Sequence, residues 1–440
     1  MADKIATSTW SVQYTEGSSG APGTASVSVD DSELTGGAKK KFFAKGVAYS
    51  PVPAGAGIGL PQLGDWFYDA PGSDDAWSQI WTRDFVNMKA MKLNLLKTYF
   101  FWPKEPPSGT QMSEWKTTVA GEPDRTHHAF LDAARANGLY VLIGVALDAG
   151  NIFDNGSPSS AKDYKDYYKW VCKELATRYG SHPAVMGFVL GNEMNNPTRL
   201  KSESFWEINA EFVKAVRDNA PGKLILQAMQ NDGDLFKYDI GDPPAEKLIK
   251  KYTDLYDLWA VNVFDGNSFD QFLKRFKQQV AETEYVRPIL FTEYGVPAGT
   301  NSEDANGNET VTELSENAKI VGTYLQDLYT SMTTSEHLNY CCGGTYFEYC
   351  DEWWKGNGPG VCDHTTPAPA TSASSAFPGG YWEPAWWGMY SIAPNGRTCA
   401  DGPWDTAASK PYPADTLTPR DAVSVMTGLS IPSGYLGGSS

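Results

Sequence analysis

Two apolar runs in this 440-residue chain end abruptly in a glutamate. The first is Ala184 to Leu190, which closes on Gly191, Asn192 and Glu193; the second is Pro288 to Thr292, which closes on Glu293, Tyr294 and Gly295. A carboxylate at the end of a buried strand is costly unless it is paired or put to use. Two of them in matching positions suit a reaction that needs one carboxyl to give a proton and another to stay ionised. Cleavage of a glycosidic bond is such a reaction. One carboxyl protonates the departing oxygen and the other attacks the anomeric carbon, and in the retaining route the two stand about 5–5.5 Å apart. On this reading Glu193 is the general acid/base, Glu293 the nucleophile, and Asn192 a hydrogen-bond partner for the sugar 2-hydroxyl. The competing reading is two structural glutamates that cap or bridge loops.

The elements that must position such a pair are also visible. Apolar runs at 42–49, 94–101, 140–147, 185–192, 224–230, 258–264, 288–292 and 344–349 read as strands. Helical periodicity lies between them. Trp77, Ile80, Trp81, Phe85 and Met88 form one apolar face behind a cap at Asp74 or Asp75, and Pro123 opens a second helix that stops at Asn137-Gly138. Others are expected at 161–179, 204–219, 243–252, 268–283 and 312–332, and after Thr418-Pro419. Eight such units predict an α/β fold, a (β/α)8 TIM barrel, with the near-continuous apolar strands that a covered parallel sheet requires. Helix-to-strand connections are short and strand-to-helix connections long, which marks the C-terminal rim as the working face. Both glutamates fall there, on strands four and seven, which face each other across an eight-stranded barrel. The expected organisation is an N-terminal extension over 1–40, with the character of a hairpin, and a catalytic barrel over 41–430. That barrel carries a long aromatic insertion at about 350–417, and 431–440 follow as a flexible tail.

Composition narrows the partners. A net charge of −17 and no basic stripe argue against nucleic acid, and Lys39-Lys40-Lys41 reads as the flank of a first strand. No apolar run is long enough to span a membrane. Aromatic residues make up 13% of the chain, and many sit in Gly/Pro-rich loops, which suits a surface that stacks on flat sugar faces. The insertion alone holds Trp353, Trp354, Tyr381, Trp382, Trp386, Trp387 and Trp404. Five of the six cysteines (Cys341, Cys342, Cys350, Cys362 and Cys399) lie in the last hundred residues, a clustering that favours disulfides in an oxidising compartment. Cys172 sits within a helical pattern as a buried thiol. The Gly55-Ala-Gly57-Ile-Gly59 stretch lacks the third glycine of a nucleotide loop. Asp304-Ala-Asn306-Gly-Asn308 lacks the glycine that a calcium loop needs at its sixth position. No cofactor or metal is expected. Asp232 and Asp234 lie after strand five, where sugar contact and turn capping are equally suitable roles.

The strand endings Gly191-Asn192-Glu193 and Thr292-Glu293-Tyr294-Gly295 resemble the acid/base and nucleophile motifs of the clan A retaining glycosidases. With Lys45-Gly-Val-Ala-Tyr49, Gly187-Phe-Val-Leu-Gly-Asn-Glu193 and Gly343-Gly-Thr-Tyr-Phe-Glu-Tyr349, the barrel is most similar to the family 72 β-1,3-glucanosyltransferases. The resemblance covers roughly residues 42–350. It implies substrate contacts at Asn192, Tyr49, Tyr99, Tyr294, Phe264, Phe347 and Trp353. The chain departs from that family at Phe264 and Phe347, where tyrosines are usual, at Lys97, where an arginine is usual, and at Ser50. Loss of the two hydroxyls removes hydrogen bonds to the nucleophile or the sugar, worth about 1–3 kcal/mol where a partner is left unpaired.

The function expected from the sequence is therefore a retaining hydrolase or transglycosylase acting on a β-glucan, with β-1,3 linkages favoured by the resemblance. Hydrolysis of another β-hexosan, such as a mannan or β-1,4-glucan, and a non-catalytic carbohydrate-binding barrel are the alternatives. The expected partner is an oligo- or polysaccharide and the expected state a monomer. The expected location is extracellular or cell-wall, although Met1-Ala-Asp-Lys4 does not read as a leader.

Overall fold

Eight strands close into a parallel barrel in chain order: Ala44–Ala48, Leu95–Lys97, Tyr140–Val145, Val185–Asn192, Leu224–Gln230, Trp259–Val263, Ile289–Tyr294 and Cys341–Tyr346. They are numbered one to eight here, and they are the eight runs read from the sequence. The computed structural model describes residues 7–15, 23–54, 65–68, 78–154, 158–231, 235, 239–240, 246–247, 252, 254–281, 287–303, 305–314, 317–356, 364–395 and 414–438. Every strand residue is buried except Asn192 and Gln230 at the upper ends. That pattern follows from side chains filling the inside and helices covering the outside.

The covering helices bury the faces that their periodicity predicts. In Glu203–Arg217 the buried set is Phe205, Trp206, Asn209, Phe212, Val213 and Val216. In Ser78–Ala90 it is Ile80, Trp81, Asp84, Phe85 and Met88. Helices Pro158–Tyr179, Asp270–Ala281, Asn317–Met332 and Asp421–Gly428 complete most of the outer layer.

Three helix boundaries differ from expectation. Pro123 opens no helix, because Asp124 bridges to Lys104 and Arg125 and His127 are drawn into a buried polar network. There His127 Nε2 meets Asp65 Oδ1 at 3.0 Å and Arg125 Nη1 donates to Asp65 Oδ2 at 3.3 Å. The helix therefore starts at His128. The helix expected from 312 starts at Asn317, because Gly299–Glu303 and Glu309–Glu313 first form an antiparallel hairpin. Gly307 lies in its turn at φ 82°, so the calcium-like spacing belongs to a hairpin loop. Within the segment expected as a helix over 243–252, Glu246–Lys247 instead pairs with Asp239–Ile240, and most of the remainder lies outside the described residues.

The N-terminal extension is a three-stranded antiparallel sheet, Ser8–Tyr14, Ala25–Asp31 and Lys40–Phe42, that closes the lower end of the barrel. Trp10, Val27, Val29 and Phe42 share one apolar cluster with the interior residues Leu95, Tyr140, Leu142, Met186, Leu226 and Leu290. Trp10 meets Phe42 and Tyr140 edge-on at 4.9 and 4.8 Å. Lys40 and Lys41 are exposed on the third strand, as their reading as a flank requires. Residues 431–438, expected as a free tail, pack beside this sheet: Tyr435 lies edge-on to Phe43, and Leu436 N donates to Lys41 O at 2.8 Å.

Cys172, Cys341, Cys342 and Cys350 are buried free thiols. No disulfide staple passes through these three members of the C-terminal cluster, whose other two, Cys362 and Cys399, lie outside the described residues along with Trp404. Cys341 and Cys342 alternate across strand eight, so one packs on the helix side and the other inside the barrel.

Candidate active site

Strand four ends in an unusual backbone. Gly191 has φ 75°, a left-handed backbone that favours glycine, and a Cβ there would also displace the Met194 side chain. Glu193 then adopts φ 53°, a left-handed conformation that costs a non-glycine residue of order 1–3 kcal/mol. It is held by a bond from its own N–H to Ala228 O at 2.8 Å, and its side chain lines a cavity at the barrel mouth. Strain of this size at a strand end marks a residue placed for use.

A strand-six amide donates to the carboxylate of Glu193. Asn262 Nδ2 on strand six donates to Glu193 Oε1 at 2.9 Å and lies 3.2 Å from Asn192 Oδ1. Thr292 Oγ1 donates to Asn262 Oδ1 at 2.8 Å, which fixes the amide so that its N–H faces the acid. Part of Glu193 is open to the cavity, yet protein atoms surround it closely. Loss of solvent pushes its pKa up, the neighbouring Glu293 pushes it further, and the Asn262 bond opposes both.

Glu293 meets the opposite treatment. It is 4% exposed at the end of strand seven. Its Oε1 accepts from Lys97 Nζ at 2.5 Å and from Tyr99 OH at 2.9 Å. Lys97 also donates to Asn192 Oδ1 at 2.9 Å and lies 3.8 Å over the Tyr99 ring. Burial lowers the Lys97 pKa, but Glu293 and Glu193 pull the other way. A cationic and a hydroxyl donor thus converge on one carboxyl oxygen. One connected path thus runs Glu293–Lys97–Asn192–Asn262–Glu193, with contributions from strands two, four, six and seven. Two carboxyls set apart in this way are an acid and a nucleophile in waiting.

The cavity encloses about 250 Å³, and Tyr99, Asn192, Glu193, Phe264, Glu293 and Phe347 line it. Tyr49, Tyr294 and Trp353 do not. Tyr49 is fully buried and its hydroxyl donates to Asp84 Oδ2 on the first helix at 2.7 Å; Ser50 lines the cavity in its place. Tyr294 follows an inward-facing glutamate and so faces the helix layer, against Phe269 and Tyr346. Trp353 stacks on His364 at 4.9 Å, and His364 on Trp386 at 3.8 Å, a sandwich inside the loop after strand eight. The tryptophans on the cavity are Trp354, Trp382 and Trp387. Phe264 packs edge-on against Trp382 and Trp387 at 5.0 and 4.8 Å, so the two family departures build an apolar wall. The hydroxyl they lack does not leave Glu293 short of a donor, because Tyr99 supplies one from just past strand two. Asn262 is the site residue with no local signal in the sequence. Asp232 and Asp234 lie outside the described residues.

The sequence profile of the cellulase family, glycosyl hydrolase family 5, matches residues 62–326, more than half of the chain and inclusive of both glutamates. No curated protein sequence matches. Solved structures share the fold. A family 2 β-galacturonidase from Eisenbergiella tayi is 12% identical with a TM-score of 0.50, over 95% of this chain and 54% of that one. The β-glucuronidase of Lactobacillus rhamnosus is 12% identical with a TM-score of 0.52, over 99% and 65%. ScGas2 in complex with a compound is 15% identical with a TM-score of 0.50, over 97% and 71%. The chain spans about half the length of the first of these. At such identities the likeness is one of barrel architecture. Clan A, read from the strand endings, stands; the profile that matches is that of family 5, not of family 72.

Proposed function

The chain belongs to glycosyl hydrolase family 5, the cellulase family, and from that premise we propose that it is a retaining glycosidase acting on a β-glucan, with β-1,3 linkages favoured. The observation that carries the retaining mechanism is the contrast between two carboxyls on one cavity. Glu293 holds Lys97 and Tyr99, while Glu193 is desolvated and pushed towards its protonated form. In the first step the Glu293 carboxylate attacks the anomeric carbon as the glycosidic C–O bond breaks, and the Glu193 proton passes to the leaving oxygen. The result is a glycosyl ester on Glu293. Esterification removes the negative charge that raised the Glu193 pKa, so Glu193 now serves as base. It takes a proton from water or from a sugar hydroxyl, whose oxygen attacks the same carbon and frees Glu293. Water gives hydrolysis, and a sugar gives transfer.

The β-1,3 preference rests on the likeness of strands one, four, seven and eight to the glucanosyltransferase motifs. The family's description as cellulases supports β-1,4-glucan as the second reading. A polymeric glucan does not cross a membrane, so the proposal includes action outside the cell. Incubation with laminari-, cello- and manno-oligosaccharides tests it. Turnover of the laminari series above the others, with products longer than the input if transfer occurs, is expected, and Glu293→Gln abolishes it. Preference for the cello or manno series overturns the linkage, and an undiminished rate in Glu293→Gln overturns the role of that residue.

A further inference from the structure

The loop after strand eight places a second set of charges on the cavity. Glu352 precedes and Lys355 ends the short turn Trp353–Lys355, and both line the cavity beside Trp354. Their side chains form an ion pair. Lys355 Nζ also lies 4.6 Å over the Phe347 ring and 5.2 Å over the Trp354 ring, so it is held by aromatic faces as well as by charge. Glu352 is 3% exposed, and the Glu348 carboxyl is buried alongside with Oε1 unpartnered. Burial and the Glu352 charge hold Glu348 well above the usual carboxylate range. Lys355 is close enough to the reacting centre for its charge to act on both Glu193 and Glu293.

We propose that Glu352 and Lys355 are specificity-determining residues that grip the hydroxyls of a neutral hexose on this wall and reject sugars bearing a carboxylate. The proposal rests on the glycosidase reading of the site. A carboxylate accepts from two adjacent hydroxyls and an ammonium donates to a third. The indole N–H groups of Trp354 and Trp387, on the same cavity and without a hydrogen-bond partner, add donors that a sugar oxygen satisfies. Rejection follows from the charge pairing. Among the described residues the lysine that lines this cavity is Lys355, committed to Glu352, and the buried Lys97 behind it is committed to Glu293 and Asn192. A uronate brought to this wall meets Glu352 with no cation free to receive it, and like charges repel strongly where water is scarce.

The test uses the full chain with Glu193→Gln, which slows turnover of glycans by about 10²–10⁴-fold while leaving the Glu293–Lys97 and Glu352–Lys355 pairs in place. Calorimetry measures the affinity of laminari-, cello- and manno-tetraose and of the same sugars oxidised to uronates at C6. The neutral member that binds is expected to do so ~10-fold or more tightly than its uronate form. Glu352→Gln in the same background is expected to weaken the neutral sugar and shrink the gap to about threefold or less. A uronate that binds as well as its neutral parent, a Glu352→Gln variant that changes neither affinity, or no binding of any neutral sugar overturns the clamp. Binding of manno- or cello-tetraose in preference to laminaritetraose, with the gap intact, overturns the β-1,3 reading and leaves the clamp standing.

Discussion

Lys97 and Tyr99 divide the support of Glu293 between a charge and a hydroxyl, and each half has its own consequence. Tyr99→Phe removes one hydrogen bond from a carboxylate that keeps its lysine. The expected loss is about 1–3 kcal/mol in kcat/KM, roughly 5- to 150-fold, with the circular dichroism spectrum unchanged. An unchanged kcat/KM would show that the hydroxyl is dispensable. Glu193 predicts the pH profile. Its pKa is raised by desolvation and by Glu293, so it remains a proton donor above the usual carboxylate range, and activity falls only as pH rises through that raised value. Glu193→Gln is expected to abolish this alkaline limb and to cost about 10²–10⁴-fold on glycans. Substrates with strongly acidic leaving groups need no proton and are expected to react in the first step all the same. A limb that survives in Glu193→Gln belongs to another group. At this scale the sequence exposed the two glutamates and Asn192, because a carboxylate at the end of an apolar run stands out. Asn262 and the use of Tyr99 were not legible, since strands two and six become neighbours of the pair only when the barrel closes.

At the scale of elements, apolar periodicity identified all eight strands, because burial on both faces leaves a run with no polar interruption. Boundaries failed where a polar network or a hairpin outweighed local propensity, as at Asp65–His127 before the His128 helix and at Gly299–Glu313 before the Asn317 helix. The N-terminal sheet is the larger surprise. Its alternation was readable, but its role as the floor of the barrel depends on Trp10 and Phe42 meeting Tyr140, far along the chain. Asp31 fastens that floor. Burial alone would raise its carboxyl, but the two-pronged bond from Arg135, the N–H groups of Leu34 and Glu33 and the Tyr140 hydroxyl bring its pKa down to about 2 from 3.8. A depressed carboxyl gives stability that is present above the unfolded value and lost as pH falls through the folded one. The floor is therefore expected to lose about 2 kcal/mol between about pH 4 and pH 2. Urea unfolding across that window, compared with Asp31→Asn, measures it; equal acid sensitivity in the variant would assign the loss elsewhere.

For the molecule as a whole, the division of labour is between a sealed lower end and an open upper one. The sheet fills the bottom, and the loops after strands two and eight wall a cavity that two glutamates share. The long connections on one rim announced that asymmetry in the sequence. Which tryptophans face the cavity was not announced, because Trp353 and Trp354 are adjacent and only the stack on His364 sends the first one inward. The central claim is that Glu293 takes the sugar and Glu193 serves it twice, as acid and then as base, so that two inversions restore the starting configuration. Time-resolved proton NMR of the anomeric signal of the first product formed from a β-linked oligosaccharide tests this most directly. The account predicts that the β-anomer appears first and then mutarotates; first appearance of the α-anomer would contradict it.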